Sequence, residues 1–509
     1  MFSRSAMQRA CLLGAALFFG FMLSARAEDM PKEMHHDHDK TQHDEKVQPG
    51  HDQMQHDHGK EPKDSAEKKK SIKDGHAGHE TAGMKHSGHA MGGGTQGGHA
   101  GHAASGMQGA HAGHDMSGQA MQMRGFLGPY SMTREGSGTS WLPDATPHEG
   151  VHAMFGDWMV MGHALINGVY DSQGGPRGGS KFFVPGMLMG MAEREFGDAT
   201  LGFRAMLSPD PFMGPNGYPL LLATGETADG RTPLVDRQHP HDLFMELATT
   251  YSQKLSANSS WFLYAGLPGE PALGPSAFMH RTSGMDIPEA PITHHWLDST
   301  HIAFGVVTAG LVLDKVKLEA SVFRGREPNE HRYDIETGAL DSYSGRLTYN
   351  PTRELSMQVS WGHLHSPEEL MPTVDENRLT ASATYTVPFG NQNIWSSTFA
   401  WGRKMLQPGE TLDGFLLESE LIFKNNWTLF MRAERVKENE LLADIATFVM
   451  PPVFYVDKIS LGGIYDFPVA EHLKFGVGAL VSRYGIPDVA KPFYGDPTSY
   501  MVFFRVKVS

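Results

Sequence analysis

Asn377-Arg378-Leu379-Thr380-Ala381-Ser382-Ala383-Thr384-Tyr385-Thr386-Val387 alternates without a break. Leu379, Ala381, Ala383, Tyr385 and Val387 fall on one face of an extended chain, and Arg378, Thr380, Ser382, Thr384 and Thr386 on the other, because successive side chains of a strand point to opposite faces. Stretches of about 10 residues with this repeat mark the strands of a transmembrane β-barrel. A soluble sandwich would alternate in the same way, so the number of strands and the lengths of their connections must decide.

Working outward, Leu355, Met357, Val359 and Trp361 alternate with Ser356, Gln358 and Ser360, and Leu473 to Ser482 repeats the pattern. Sixteen such segments start near Trp158, Phe182, Ala199, Leu243, Ser260, His301, Val316, Ser342, Leu355, Asn377, Asn393, Asp413, Asn426, Val456, His472 and Thr498. Short turns such as Phe196-Gly197-Asp198, Asp314-Lys315 and Lys424-Asn425 alternate with longer connections at about 209–241, 268–299 and 325–341. This is the pattern of an outer-membrane barrel with periplasmic turns and external loops. No run reaches the roughly 20 apolar residues of a spanning helix. The expected fold is therefore all-β: a transmembrane outer-membrane β-barrel of about sixteen antiparallel strands over residues 147–509. The chain ends Val506-Lys507-Val508-Ser509 where such barrels commonly end on an aromatic residue, so fourteen or eighteen strands stay open. Trp261, Tyr349, Trp361, Trp395, Trp401 and Trp427 sit where interfacial aromatic girdles are expected. The inward face carries Glu246, Glu319, Arg346, Arg378, Glu418, Glu420, Arg432 and Glu434. That fits either an aqueous channel or an interior filled by paired charges and inserted loops.

Upstream of the barrel the composition changes. Arg4 and Arg9 precede an apolar stretch from Cys11 to Ser24, and Ala25-Arg26-Ala27 is a cleavage pattern, so residues 1–27 read as a secretory signal. The single cysteine, Cys11, goes with it, which leaves no disulfide or CxxC site. A net charge of −15 makes nucleic acid an unsuitable partner. Residues 28–146 read as a disordered His/Met/Gly-rich tail, because they hold too little apolar surface to offset chain entropy. The tail carries 15 of the 28 histidines: His35, His36, His38, His43, His51, His56, His58, His76, His79, His86, His89, His99, His102, His111 and His114. Nine methionines between Met30 and Met123, Met116 among them, are interspersed. Imidazole suits Cu(II), Zn or Ni and thioether prefers Cu(I), so the mixture points to copper, with zinc or nickel as the alternatives. A solubilising low-complexity linker is the plain competitor.

The long loops hold a second candidate set. Asp236-Arg237-Gln238-His239-Pro240-His241-Asp242 presents His239, His241 and Asp242, and the next loop supplies His280, His294 and His295, followed by Asp298 and His301. These side chains would form a metal site in the barrel mouth, or else hydrogen-bond loops folded into the lumen. His148 and His152 would extend the tail's ligands to the barrel entrance, and His363 and His365 are weaker candidates. No GxSxG, HExxH or P-loop is present, so no enzyme is expected.

A signal peptide, a Met/His/Asp/Gly-rich tract with units such as His111-Ala112-Gly113-His114-Asp115-Met116, and then a barrel resembles the outer-membrane copper-resistance B proteins. The likeness covers layout and tail composition, and the barrel here is larger. It implies copper sequestration or efflux at the outer membrane of a Gram-negative bacterium, with the tail in the periplasm. The expected partners are transition-metal ions, outer-membrane lipid and periplasmic metal-handling proteins. A solute porin whose tail buffers metal is the first alternative, and an outer-membrane enzyme the second.

Overall fold

The computed structural model describes residues 124–446, 448 and 450–509. The signal segment and the tail ligands from His35 to His114, with Met116, lie outside the described residues.

Sixteen antiparallel staves close into a barrel. They are β1 (Trp158–Gln173), β2 (Gly186–Phe196), β3 (Ala199–Leu207), β4 (Phe244–Ser256), β5 (Ser259–Gly266), β6 (Val306–Leu313), β7 (Val316–Phe323) and β8 (Ser342–Thr352). The circuit continues with β9 (Leu355–Leu364), β10 (Asp375–Phe389), β11 (Asn393–Gln407), β12 (Thr411–Phe423), β13 (Trp427–Glu438), β14 (Phe454–Ala470), β15 (Leu473–Gly485) and β16 (Thr498–Val508). β16 closes on β1 with Tyr500 opposite Ser172 and Val508 opposite Ala164. Among the described residues no helix is long and apolar enough to cross a membrane.

The barrel is inverted relative to a soluble protein. On β10, Arg378, Thr380, Thr384 and Thr386 are buried inside while Tyr385 is exposed outside. All eight charged residues expected on the inward face are buried. Leu263, Val307, Leu318, Val322, Val359, Leu429 and Val477 are exposed outside. An exterior of this kind is stable only against lipid. Tyr349, Trp361 and Trp427 are exposed near stave ends, as an aromatic girdle requires, whereas Trp261, Trp395 and Trp401 are half-buried there.

Two starting points differ from the expectation. The sixth stave begins at Val306 and not near His301, because Ser299–His301 is a 3-10 turn in which the His301 ring bonds to the Asp298 carbonyl. The second stave is split: Gly179–Phe183 pairs with β1, and Pro185, which has no N–H to donate, interrupts the ladder before Gly186.

The lumen is filled. Residues 124–146, counted with the tail in the sequence reading, are folded inside the barrel at its short-turn end. Phe126, Leu127, Trp141 and Leu142 are buried and supply the apolar surface that the His/Gly tract lacks. The wall grips this segment through Ser260 Oγ donating to the Leu127 carbonyl (2.7 Å), Arg346 donating to Thr139 Oγ1 (3.0 Å) and Asn350 donating to the Leu142 carbonyl (2.8 Å). The connection between β5 and β6 folds in as well, held by Arg281–Glu418 (2.9 Å), Asp286–Arg505 (2.5 Å), Glu289–Lys458 (2.7 Å) and Thr293 donating to Glu434 (2.9 Å). Gly402 on β11 lets that connection touch the wall, since a Cβ there would lie 2.2 Å from the Trp296 carbonyl oxygen. Of the two readings of the charged lumen, paired charges with inserted loops is the one found.

Candidate metal centre

Three lumen histidines converge. His241 follows Pro240 in the connection between β3 and β4, His294 opens the single helical turn His294–Leu297, and His301 ends the 3-10 turn after it. One ring nitrogen from each lies within 4.8 Å of the others, and all three residues are buried. Ring centroids are 5.0 Å apart for His294–His301, 5.2 Å for His241–His301 and 6.4 Å for His241–His294.

Nδ1 of each ring is engaged. His241 Nδ1 lies 2.8 Å from Asp210 Oδ2, His294 Nδ1 2.7 Å from Asp298 Oδ1, and His301 Nδ1 2.8 Å from the Asp298 carbonyl oxygen. An oxygen acceptor at Nδ1 fixes the proton there and leaves Nε2 as the lone-pair atom. Nε2 of His241 and of His301 is buried with no hydrogen-bond partner. Burial, then the neighbouring imidazoles, holds His301 well below the usual histidine range, and burial also lowers His294, against the pull of Asp298. Neutral imidazoles are the form that ligates a metal. Phe278 covers the group, with its ring 5.6 Å from His294, 6.2 Å from His241 and 6.4 Å from His301. The arrangement offers three nitrogen ligands, which suits Zn²⁺, Cu²⁺ or Ni²⁺.

The other expected site residues separate. His239 and His295 lie beside the triad, their rings 5.8 Å apart, and each ring approaches a carboxylate: His239 Nδ1 is 3.2 Å from Glu226 and His295 Nδ1 3.4 Å from Glu327. Burial opposes charge on His295, but Glu327 outweighs it and raises the ring above its usual range, whereas burial, and then Arg332, pushes His239 well below. Asp242 pairs with Arg332 at 3.3 Å, and Asp236 accepts from Leu222 N (2.8 Å) and Tyr494 Oη (3.0 Å), so both serve as loop braces. His280 lies apart, with Nε2 3.4 Å from Met206 Sδ. His363 bonds to Asn377 (3.2 Å) and exposed His365 to Asp375 (2.8 Å), away from the triad. His301 was placed at the start of a strand by sequence, although His294, Asp298 and His301 have the i, i+4, i+7 spacing of one helical face.

No family model matches the chain, and no curated protein matches it. Among solved structures the chain is similar to the OmpF of Salmonella typhi in complex with daunomycin, at 9% identity and a TM-score of 0.45, over 70% of this chain and 100% of that one. It is also similar to the anion-selective porin of Comamonas acidovorans (10%, 0.40, 69% and 99%) and to OprB of Pseudomonas putida (9%, 0.41, 69% and 94%). At these scores the likeness is descriptive, and the outer-membrane β-barrel rests on the closed strand register and the apolar exterior.

Proposed function

We propose that this porin-like outer-membrane barrel handles transition-metal ions, binding one divalent ion between His241, His294 and His301 and gathering more, copper above all, through its N-terminal tail. One observation carries the reading: all three imidazoles have Nδ1 beside an oxygen acceptor, one ring nitrogen of each lies within 4.8 Å of the others, and Nε2 of His241 and of His301 is buried without a partner. A cluster kept only for hydrogen bonding would have no reason to leave buried Nε2 atoms unpartnered. The His/Met composition of the tail and the likeness to copper-resistance B proteins support copper as cargo. The tethered tail would raise the local metal concentration at the barrel.

Solute passage, with the tail as a metal buffer, is the second reading, favoured by the closed barrel and its polar inner wall. Co(II) titration of the full chain in detergent separates the two. Tetrahedral Co(II) bands should appear, and the His241→Ala/His294→Ala/His301→Ala variant should lose them and one ion per chain. Equal spectra and stoichiometry for the two proteins would remove the lumen site and leave the porin reading.

A further inference from the structure

The inner wall of β1 and β2 is chemically unlike the rest of the lumen. Elsewhere the inward face mixes charged and hydroxylic residues with aliphatic and aromatic ones such as Leu412, Leu416, Phe430 and Leu480, but here it reads Met159, Met161 and His163 on β1 and Met187, Met189 and Met191 on β2. Adjacent staves bring the two rows together: Met161 is paired with Met191 and His163 with Met189. Met206 of β3 and Met132 of the plug segment join the same buried cluster. A cavity of about 100 Å³ opens among Met161, Met189, Met191, His148, His163 and His280.

The histidines of this cavity have no protein partner that explains them. Both ring nitrogens of His163 and Nε2 of His148 are buried without a hydrogen bond. His280 Nε2 has only a thioether, Met206 Sδ, at 3.4 Å, and its ring stands 6.3 Å from that of His163. Apolar packing alone would favour Leu or Ile here and would not bury unpaired imidazoles among them. Thioether is a soft ligand that selects a monovalent d¹⁰ cation, and imidazole completes such a shell.

We infer that this Met/His pocket between β1, β2 and the plug segment is a second metal site, one that takes Cu(I). The inference deepens the transition-metal reading and rests on it. The same 3-10 turn, Phe278–His280, serves both sites: Phe278 covers the three-imidazole group, while His280 Nε2 meets the Met206 thioether. A soft site at the short-turn end followed by a nitrogen site deeper in the lumen would sort the two oxidation states of copper by ligand chemistry.

The test uses the full chain labelled with ¹³C at the methionine methyls and Ag(I) as a redox-inert stand-in for Cu(I). Methyl resonances assigned by single Met→Leu variants to Met161, Met189 and Met191 should shift on Ag(I) addition. Met161→Leu/Met189→Leu/Met191→Leu, which preserves apolar volume, should bind one fewer Cu(I) per chain in competition with a Cu(I) chelator. Its Co(II) bands should stay those of the parent. Unshifted methyls under excess Ag(I), or unchanged Cu(I) stoichiometry, would overturn the inference and leave the cluster as core packing. Because Co(II) reports the three-imidazole site and Ag(I) this one, failure of either reading is seen separately.

Discussion

Asp298 organises the metal centre from behind the ligands. Its Oδ1 accepts from His294 Nδ1 at 2.7 Å, its carbonyl from His301 Nδ1 at 2.8 Å, and its Oδ2 from Arg281 at 2.6 Å. Burial would raise this carboxyl, yet Arg281 and then His294 hold it well below the usual carboxylate range. It therefore stays ionised and keeps the His294 lone pair on Nε2. Asp298→Asn keeps the volume and removes the charge, so Co(II) affinity of the lumen site should fall about 10–100-fold with the stoichiometry unchanged. A competition titration against a chelator of known affinity reads this directly, and an unaltered affinity would show that the triad is not held as a metal site. At this scale the sequence reading was half sufficient. His241 and His294 were visible because Pro240 and the paired His294-His295 stand out in a loop. His301 follows them in sequence but also reads as the start of a strand, and His280 groups in sequence with residues that it does not join in space.

Elements were far more legible, and the reason is period two. A stave with lipid on one face and a filled lumen on the other must alternate, so β9 and β10 could be read residue by residue, and their register confirms it with Val359 opposite Ala381 and Ser360 opposite Thr380. The same logic makes the two faces unequal in tolerance. Val359, mid-stave and exposed outside, should cost about 2–4 kcal/mol as Val359→Arg, the penalty of a cation at the bilayer midplane. Urea unfolding in lipid vesicles would measure it, and a neutral result would place that face away from lipid. Alternation also conceals chemistry where it is complete. Met-x-Met-x-His on β1 and Met-x-Met-x-Met on β2 scan as ordinary strands, and only their pairing shows that the methionines face the lumen and each other. The loops had no such period, so which of them enters the barrel was not readable from composition.

The described residues form a closed barrel plugged from both ends, and its interior charges bear the plug. Residues 124–146 fill the short-turn end, while the β5–β6 connection is tied to the wall by Arg281, Asp286, Glu289 and Thr293. Asp286 is the most informative of these ties. It faces Arg505 at 2.5 Å and Lys507 at 3.9 Å, with Glu420 beside it, and Arg505 is shared with Asp466 at 2.6 Å. Burial alone would raise the Asp286 carboxyl, but Arg505 and then Lys507 prevail and hold it down to about 2. A carboxyl depressed below its unfolded value of about 3.9 stabilises the docked loop above that pH, and the contribution is lost as pH falls toward 2. The shift corresponds to roughly 2–3 kcal/mol, at about 1.4 kcal/mol per unit. Single-channel recording across planar bilayers should therefore show little conductance from pH 7 to pH 5 and increasing, fluctuating openings below pH 4 as the loop undocks. Asp286→Asn should already fluctuate at pH 7, because it removes the loop's carboxylate while Arg505 keeps Asp466. Steady porin-sized conductance of the parent protein at neutral pH would mean that the loops leave the lumen in a membrane. The metal centre they build would then exist only while they are docked.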